Sequence, residues 1–132
     1  MKFYKTYFLV VFFSIATSLH AEKYQYNGNC KFIGNVENFK HCLDEELVLY
    51  DRELNDLYKS YFNNKPSKYL RKAETSWIKF KEDDCDYIAA EVNGGSYYDV
   101  IYKACLINKT KVRINDLKRS FFFFGWFKNI KK

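Results

Sequence analysis

The chain has 132 residues, enough for one small domain, and its 22 Lys and Arg against 16 Asp and Glu give a net charge of +6. Residues 118–132 carry +5 of this charge, residues 1–21 carry +2, and the segment between them carries −1. This distribution disfavours a nucleic-acid-binding domain, whose basic groups lie on the folded body, and with only two histidines and five glycines we expect no metal centre, no phosphate-binding loop and no cofactor.

Residues 1–21 have the pattern of a secretory signal peptide. Lys2 and Lys5 precede an apolar run from about residue 7 to residue 15, and small residues follow it. The run is shorter than the ~20 residues that a membrane-spanning helix needs. Cleavage after Ser18 and cleavage after Ala21 both fit the small residues, and we prefer Ala21. The sequence therefore predicts a periplasmic or secreted protein with a mature body over residues 22–117.

A continuous apolar stripe at helical spacing follows the mature N-terminus and predicts a first helix. Its members, three or four residues apart, are Val36, Phe39, Leu43, Leu47, Tyr50, Leu54, Leu57 and Tyr61. Asn35 is placed to cap this helix, and the segment from Asn63 to Pro66 ends it.

Two further helices are predicted. The second begins near Ser67 and ends before Asn93, with the inward positions Leu70, Ala73, Trp77, Phe80 and either Tyr87 or Ile88. The third begins with a capping box of Ser96 and Asp99, with the inward positions Ile101, Cys105, Asn108, Val112 and Leu117. Because the connections are short, we expect an all-α fold, a small antiparallel three-helix bundle.

Residues 118–132 form an aromatic and basic tail. Its aromatic residues are Phe121, Phe122, Phe123, Phe124, Trp126 and Phe127, and basic residues flank them on both sides. Burial of each ring stabilises it by roughly 1.5–3 kcal/mol relative to exposure to water, so we expect the rings to pack against another surface. Three arrangements would bury them: packing on the bundle, contact with an anionic membrane interface, or binding to a protein partner. A mixture of aromatic and basic residues is typical of the membrane interface.

Four cysteines lie in the mature body, and none has metal-type spacing to another, so we expect two disulfides. The turns near residues 64 and 94 place Cys42, Cys85 and Cys105 at one end of the bundle. Cys85–Cys105 with Cys30–Cys42 is the preferred pairing. Cys42–Cys85 with Cys30–Cys105 has nearly equal geometry and stays open.

Acidic residues gather at the same end of the predicted bundle as the cysteines. Those proposed to meet a cationic partner are Asp44, Glu45, Glu46, Glu82, Asp83, Asp84 and Asp86. Solvated helix faces are the simpler explanation of this charge.

The body resembles the LprI-type family, the lysozyme inhibitor LprI N-terminal domain. The resemblance covers about residues 30–117 and rests on an ordered set of motifs: the cysteine pair 30 and 42, the segment 53–58, W-x-x-F-K-x-x-x-C over 77–85, GGS over 94–96, and C-L-x₃-T-x₂-R-x₃-L over 105–117. The chain departs from the family where Glu74 replaces Gln and Lys81 replaces Arg. The resemblance implies a small helical, disulfide-linked exported domain that, for its namesake, binds and inhibits lysozyme.

Two functions are compatible with this sequence, and neither is enzymatic. The candidate base is His41, the only histidine of the mature body, and its neighbour Cys42 is expected to be oxidised; carboxylate pairs such as Glu46 and Glu82 are expected to be solvated. We expect an exported binding protein that inhibits lysozyme or binds another cationic protein. The alternative is an envelope-associated structural or interaction protein without a glycosidase target. Arg113 and Asn55 are expected to face each other as a buried polar pair.

Overall fold

The structure, a computed structural model, describes residues 25–62, 67–92 and 94–130, and the side chains at 61, 62 and 121–129 lie outside this description. It contains three helices, α1 (Val36–Phe62), α2 (Lys68–Ala90) and α3 (Ser96–Ile130), and no strand within the described ranges. The predicted all-α three-helix fold is confirmed. The predicted signal peptide lies outside the described residues.

Local side-chain chemistry accounts for the starts of α1 and α2. The Asn35 side chain accepts a hydrogen bond from the backbone N–H of Asn38 at 2.8 Å, and Ser67 Oγ accepts one from Leu70 at 3.1 Å. Before α3, Gly94 and Gly95 have φ values of 83° and 80°, in the left-handed region that glycine adopts without steric cost. The chain can therefore reverse tightly between α2 and α3.

Helix α3 lies at the centre of the fold. Both α1 and α2 pack on it, whereas α1 and α2 make little backbone contact with each other. The buried apolar residues are Leu43, Leu54, Leu57, Cys85, Ala89, Leu106, Ile107, Ile114 and Leu117. Because α3 has a partner on two sides, its buried arc is wider than that of either neighbour.

This arrangement corrects several of the predicted inward positions. Phe80 and Val112 are 56% and 54% exposed, and Tyr87 and Ala73 are exposed as well. Helix α2 packs mainly on α3, so its buried stripe is narrow and passes through Lys81 instead of Phe80. Periodicity therefore predicts the right helices, but the predicted buried face is displaced from the observed one by about one residue.

The disulfides are Cys30–Cys42 and Cys85–Cys105, with Cα–Cα distances of 5.8 and 5.6 Å. The preferred pairing is therefore confirmed and the alternative pairing is wrong. The first bond ties the segment before α1 to α1, and the second joins α2 to α3 near the turn between them. The end of the bundle that holds both disulfides is called the cysteine end below.

Candidate functional site

The segment 25–30, here called the N-terminal strap, is fixed to α1 at the cysteine end. The Tyr26 hydroxyl donates to the Glu46 carboxylate, and the backbone N–H of Asn29 donates to the same carboxylate at 2.8 Å. Burial and the bond to Glu46 raise the pKa of Tyr26 far above its ordinary value, so the phenol remains a donor. Glu46 is only 5% exposed. The structure thus places this member of the predicted acidic surface beneath the strap.

The strap also crosses to α3. Asn108 accepts a hydrogen bond from the backbone N–H of Asn27 at 3.0 Å and donates to the Gln25 carbonyl at 2.8 Å. Lys111 Nζ donates to the Asn27 carbonyl at 2.5 Å. These bonds satisfy backbone groups of a segment that has no regular secondary structure. Sequence reasoning missed this element because a short, irregular strap has no periodicity.

A cleft of about 590 Å³ opens between the strap, α2 and α3 at the cysteine end. Its floor is the N-terminal half of α3. Tyr26 and Phe39 form one wall, and their rings meet edge to face at 6.0 Å. The other residues that line it are Tyr87, Ile88, Glu91, Val92, Val100, Ile101, Ala104, Cys105, Asn108 and Lys109. A mostly apolar concavity with a few polar groups at its edge is typical of a binding site.

An ion-pair network lies between α1 and α3 at the cysteine end. Lys103 Nζ is 2.7 Å from Asp44 and 3.0 Å from Asp99, and Lys40 is 3.3 Å from Asp99. Burial alone would raise the pKa of Asp99, but hydrogen bonds from Lys103 and Lys40 lower it. Burial would likewise lower the pKa of Lys103, and its two carboxylate partners raise it instead. Asp44 is therefore brought to the predicted end of the bundle but is already paired.

The remaining predicted acidic residues lie on two sides of α3. Glu45 is 3.6 Å from His41 on α1. On α2, Asp83 pairs with Lys79 at 2.7 Å, Asp84 pairs with Lys109 at 2.6 Å, and Asp86 accepts a hydrogen bond from the Tyr98 hydroxyl at 2.7 Å. Within the described ranges, Glu82 has no hydrogen-bond or ion-pair partner. Lysines thus pair with Asp44, Asp83 and Asp84, whereas Glu45, Glu82 and Asp86 have no lysine partner within the described ranges.

A second polar cluster lies inside the bundle, between α2 and α3. The Arg113 guanidinium donates to the Glu74 carboxylate at 2.9 and 3.2 Å and to the Tyr58 hydroxyl at 3.3 Å. Burial raises the pKa of Glu74, and Arg113 opposes that rise. The expected pairing of Arg113 with Asn55 is wrong, because Asn55 is exposed and the guanidinium reaches across to α2.

Lys81 extends this polar cluster along α2. It is 8% exposed, lies 4.9 Å from the centroid of the Trp77 ring, and is 3.8 Å from Asp51 on α1. Glu74 and Lys81, the two departures from the resembled family, therefore both lie on the inward face of α2. Their contacts are with the protein itself, so this cluster is structural.

The described residues form neither a metal site nor a membrane-spanning helix. Among the described residues, no group of three or more His, Cys, Asp or Glu side chains is arranged to hold a metal ion. No helix in the same residues is long and apolar enough to span a membrane. The side chains of the predicted membrane-contact residues, Phe121 to Phe124, Trp126 and Phe127, lie outside the described part. The backbone that carries them continues α3.

Comparison with known proteins places these features in context. A family model described as "Lysozyme inhibitor LprI" matches residues 34–117. An uncharacterized protein of Rhizobium meliloti (strain 1021) is 31% identical over 68 residues, which cover 52% of this chain and 48% of that relative. The alignment thus spans about half the length of the relative. No solved structure matches. The family match contains all three helices up to Leu117 and excludes the strap and the tail.

Proposed function

The chain belongs to the lysozyme inhibitor LprI family, and we propose that it is an exported protein that inhibits a lysozyme-type glycosidase by binding to it. The observation that carries this proposal is the family match over residues 34–117, which spans the packed part of the bundle. The two disulfides support export, because such bonds persist in oxidising compartments. Inhibition by binding requires no catalytic group.

We assign the docking surface to the cysteine end. The cleft offers an apolar concavity for a projecting side chain of the glycosidase. Beside it, Phe32 and Ile33 are 61% and 73% exposed on the loop between Cys30 and α1. The Cys30–Cys42 disulfide restrains this loop, which lowers the conformational entropy lost on binding. Exposed apolar groups on a restrained loop are suited to a protein contact.

Charge has a secondary role in this proposal. Glu82 and Glu91 favour a cationic partner, and lysozymes are commonly cationic. Lysines already pair with Asp44, Asp83 and Asp84, which weakens the electrostatic field of these three carboxylates in the solvent. Electrostatic attraction at an interface rim mainly raises the association rate and is screened by salt. We therefore expect salt to slow association while the apolar cleft sets the dissociation rate.

The test is titration of the purified protein against lysozyme activity on cell walls, with a variant that fills the cleft. Ala104→Phe places a ring in the cleft, whereas Ala73→Phe makes the same change at an exposed position of α2 outside it. Inhibition by the unmodified protein should weaken at least tenfold, or about 1.4 kcal/mol, in Ala104→Phe and persist in Ala73→Phe. Circular dichroism and thiol titration confirm that both variants fold and retain their disulfides.

Two outcomes would contradict the proposal at different levels. Equal inhibition by Ala104→Phe and the unmodified protein would remove the cleft from the docking surface while leaving the inhibitor function intact. No inhibition at micromolar concentrations of unmodified protein would favour the other hypothesis, an envelope-associated interaction protein without a glycosidase target.

A further inference from the structure

Helix α3 extends beyond both helices that pack on it. Its last buried residue, Leu117, packs in one cluster with Ile114 of α3 and with Leu54 and Leu57 of α1. That register places the end of α1, at Phe62, level with about residue 122 of α3. Helix α2 runs antiparallel to α3, and the Cys85–Cys105 bond sets its register. The start of α2, at Lys68, therefore also lies level with about residue 122 of α3. About eight residues of α3, or ~12 Å of helix, therefore continue past both neighbours.

The aromatic run at the start of this extension contains no polar residue. Six of the seven residues from 121 to 127 are aromatic, and a helix through such a run is apolar on every side. The helical backbone runs without interruption to Ile130, so the chain does not reverse to lay this segment on the bundle. An apolar helix of this kind needs a surface outside its own domain.

The charge of the segment identifies that surface. Residues 118–132 carry five basic groups and no acid, and these groups lie on both sides of the aromatic run. Two copies of such a segment would repel each other, whereas an anionic surface attracts it. Aromatic rings between basic residues are suited to the headgroup region of a bilayer. No described helix is apolar and long enough to span a membrane.

We propose that the C-terminal end of α3 binds the surface of an anionic lipid bilayer, at the pole of the bundle opposite the cysteine end. Cys105 and Ile130 are 25 residues apart on one helix, which corresponds to ~38 Å. The cleft therefore lies far from the bilayer and stays accessible to a partner. This inference does not depend on the inhibitor function, since it rests on α3 and the tail alone.

The direct test uses the two tryptophans as site-specific reporters. Trp77 lies in the interior polar cluster, and Trp126 lies in the aromatic run. The exported protein is mixed with vesicles of phosphatidylcholine containing phosphatidylglycerol. The emission of Trp77→Phe, which retains Trp126, should shift to the blue when vesicles are added. The emission of Trp126→Phe should not change. A shift in neither variant, or a shift in Trp126→Phe alone, would overturn the proposal.

A charge-matched pair of variants tests the electrostatic part. Lys128→Gln, Lys131→Gln and Lys132→Gln together remove three positive charges from the tail. Lys31→Gln, Arg52→Gln and Lys79→Gln remove three from exposed positions elsewhere. Since one basic residue near an anionic surface contributes about fivefold in affinity, the tail variant should bind about 100-fold more weakly.

The control variant should bind like the unmodified protein. Equal loss in both variants would mean that net charge, and not the tail, drives binding. Sedimentation velocity without lipid covers the remaining alternative: a dimer that is lost on truncation after Ser120 would show that a second copy covers the tail, and it would overturn the bilayer assignment.

Discussion

The interior pair of Arg113 and Glu74 gives the sharpest prediction about stability. Arg113→Met keeps much of the apolar volume of the side chain but removes two hydrogen bonds to Glu74 and one to Tyr58. Glu74 then remains as an unpaired carboxylate whose side chain is only 16% exposed. Loss of one partner of a fully buried pair costs about 3–5 kcal/mol, and partial access of solvent to this pair reduces the expected cost to about 2–3 kcal/mol.

The pH dependence identifies the source of that cost. Burial raises the pKa of Glu74 above 4.5, and the variant loses the guanidinium that opposes this rise. A carboxyl whose folded-state pKa is raised favours the folded state below its unfolded pKa, and this contribution is lost as the pH rises through the folded pKa. The penalty in Arg113→Met should therefore be largest near pH 7 and smaller below about pH 4.5, where Glu74 is protonated.

Urea denaturation at pH 7 and pH 4, with the disulfides intact, measures both quantities. Adding Glu74→Gln to Arg113→Met should recover about 1–2 kcal/mol at pH 7, because it removes the unpaired buried charge. Arg119→Met breaks the exposed pair with Asp116 and should change stability by less than about 0.5 kcal/mol. A cost below 1 kcal/mol for Arg113→Met, or an equal cost at both pH values, would refute the argument that burial of Glu74 sets it.

Three further predictions concern the core, the strap and the ion-pair network. Ile107→Ala should cost about 2–5 kcal/mol in urea denaturation, and Val112→Ala less than about 1 kcal/mol, because only Ile107 is fully buried; similar costs would contradict the observed orientation of α3. Replacing Cys30 and Cys42 with Ser should lower the free energy of unfolding by about 3 kcal/mol, given their separation of 12 residues, and speed amide hydrogen exchange in the strap; slow exchange there would show that its hydrogen bonds suffice. Asp99→Asn should destabilise the protein at neutral pH, and this cost should shrink as the pH falls below 3.8, because a carboxylate whose pKa is lowered by its lysine partners contributes stability that is lost as it protonates; a cost that stays constant into acid would exclude this cause.

Periodicity in the sequence was sufficient for some parts of this fold and insufficient for others. Leu54 and Leu57 belong to a long stripe with one interpretation, and both are buried. On α2, whether Phe80 or Lys81 is buried depends on how the neighbouring helices cover this helix. Periodicity alone does not contain that information. Lys81 is inside because the Trp77 ring covers it and Asp51 is near its ammonium.

The candidate site shows the same division. The turn positions and the helical rise correctly place the cysteines and the acidic residues at one end of the bundle, because position along the bundle depends on nothing else. Whether an acidic residue is free depends on cations from other helices. Asp44 is neutralised by Lys103, 59 positions further along the chain, which no local pattern reveals. The cleft itself is formed where the strap, α2 and α3 come together, a property of packing and not of any one segment.

The order of the cysteines has a consequence for biogenesis. Each disulfide joins a cysteine to the next one along the chain, at separations of 12 and 20 residues. If the protein crosses a membrane N-terminus first, an oxidase that acts on thiols in order of emergence makes Cys30–Cys42 and then Cys85–Cys105 without error. Neither bond has to wait for the C-terminal tail, and no thiol–disulfide exchange is needed to correct the pairing. This connectivity makes the bundle independent of a disulfide isomerase, so a strain that lacks one should still accumulate the native, fully oxidised protein.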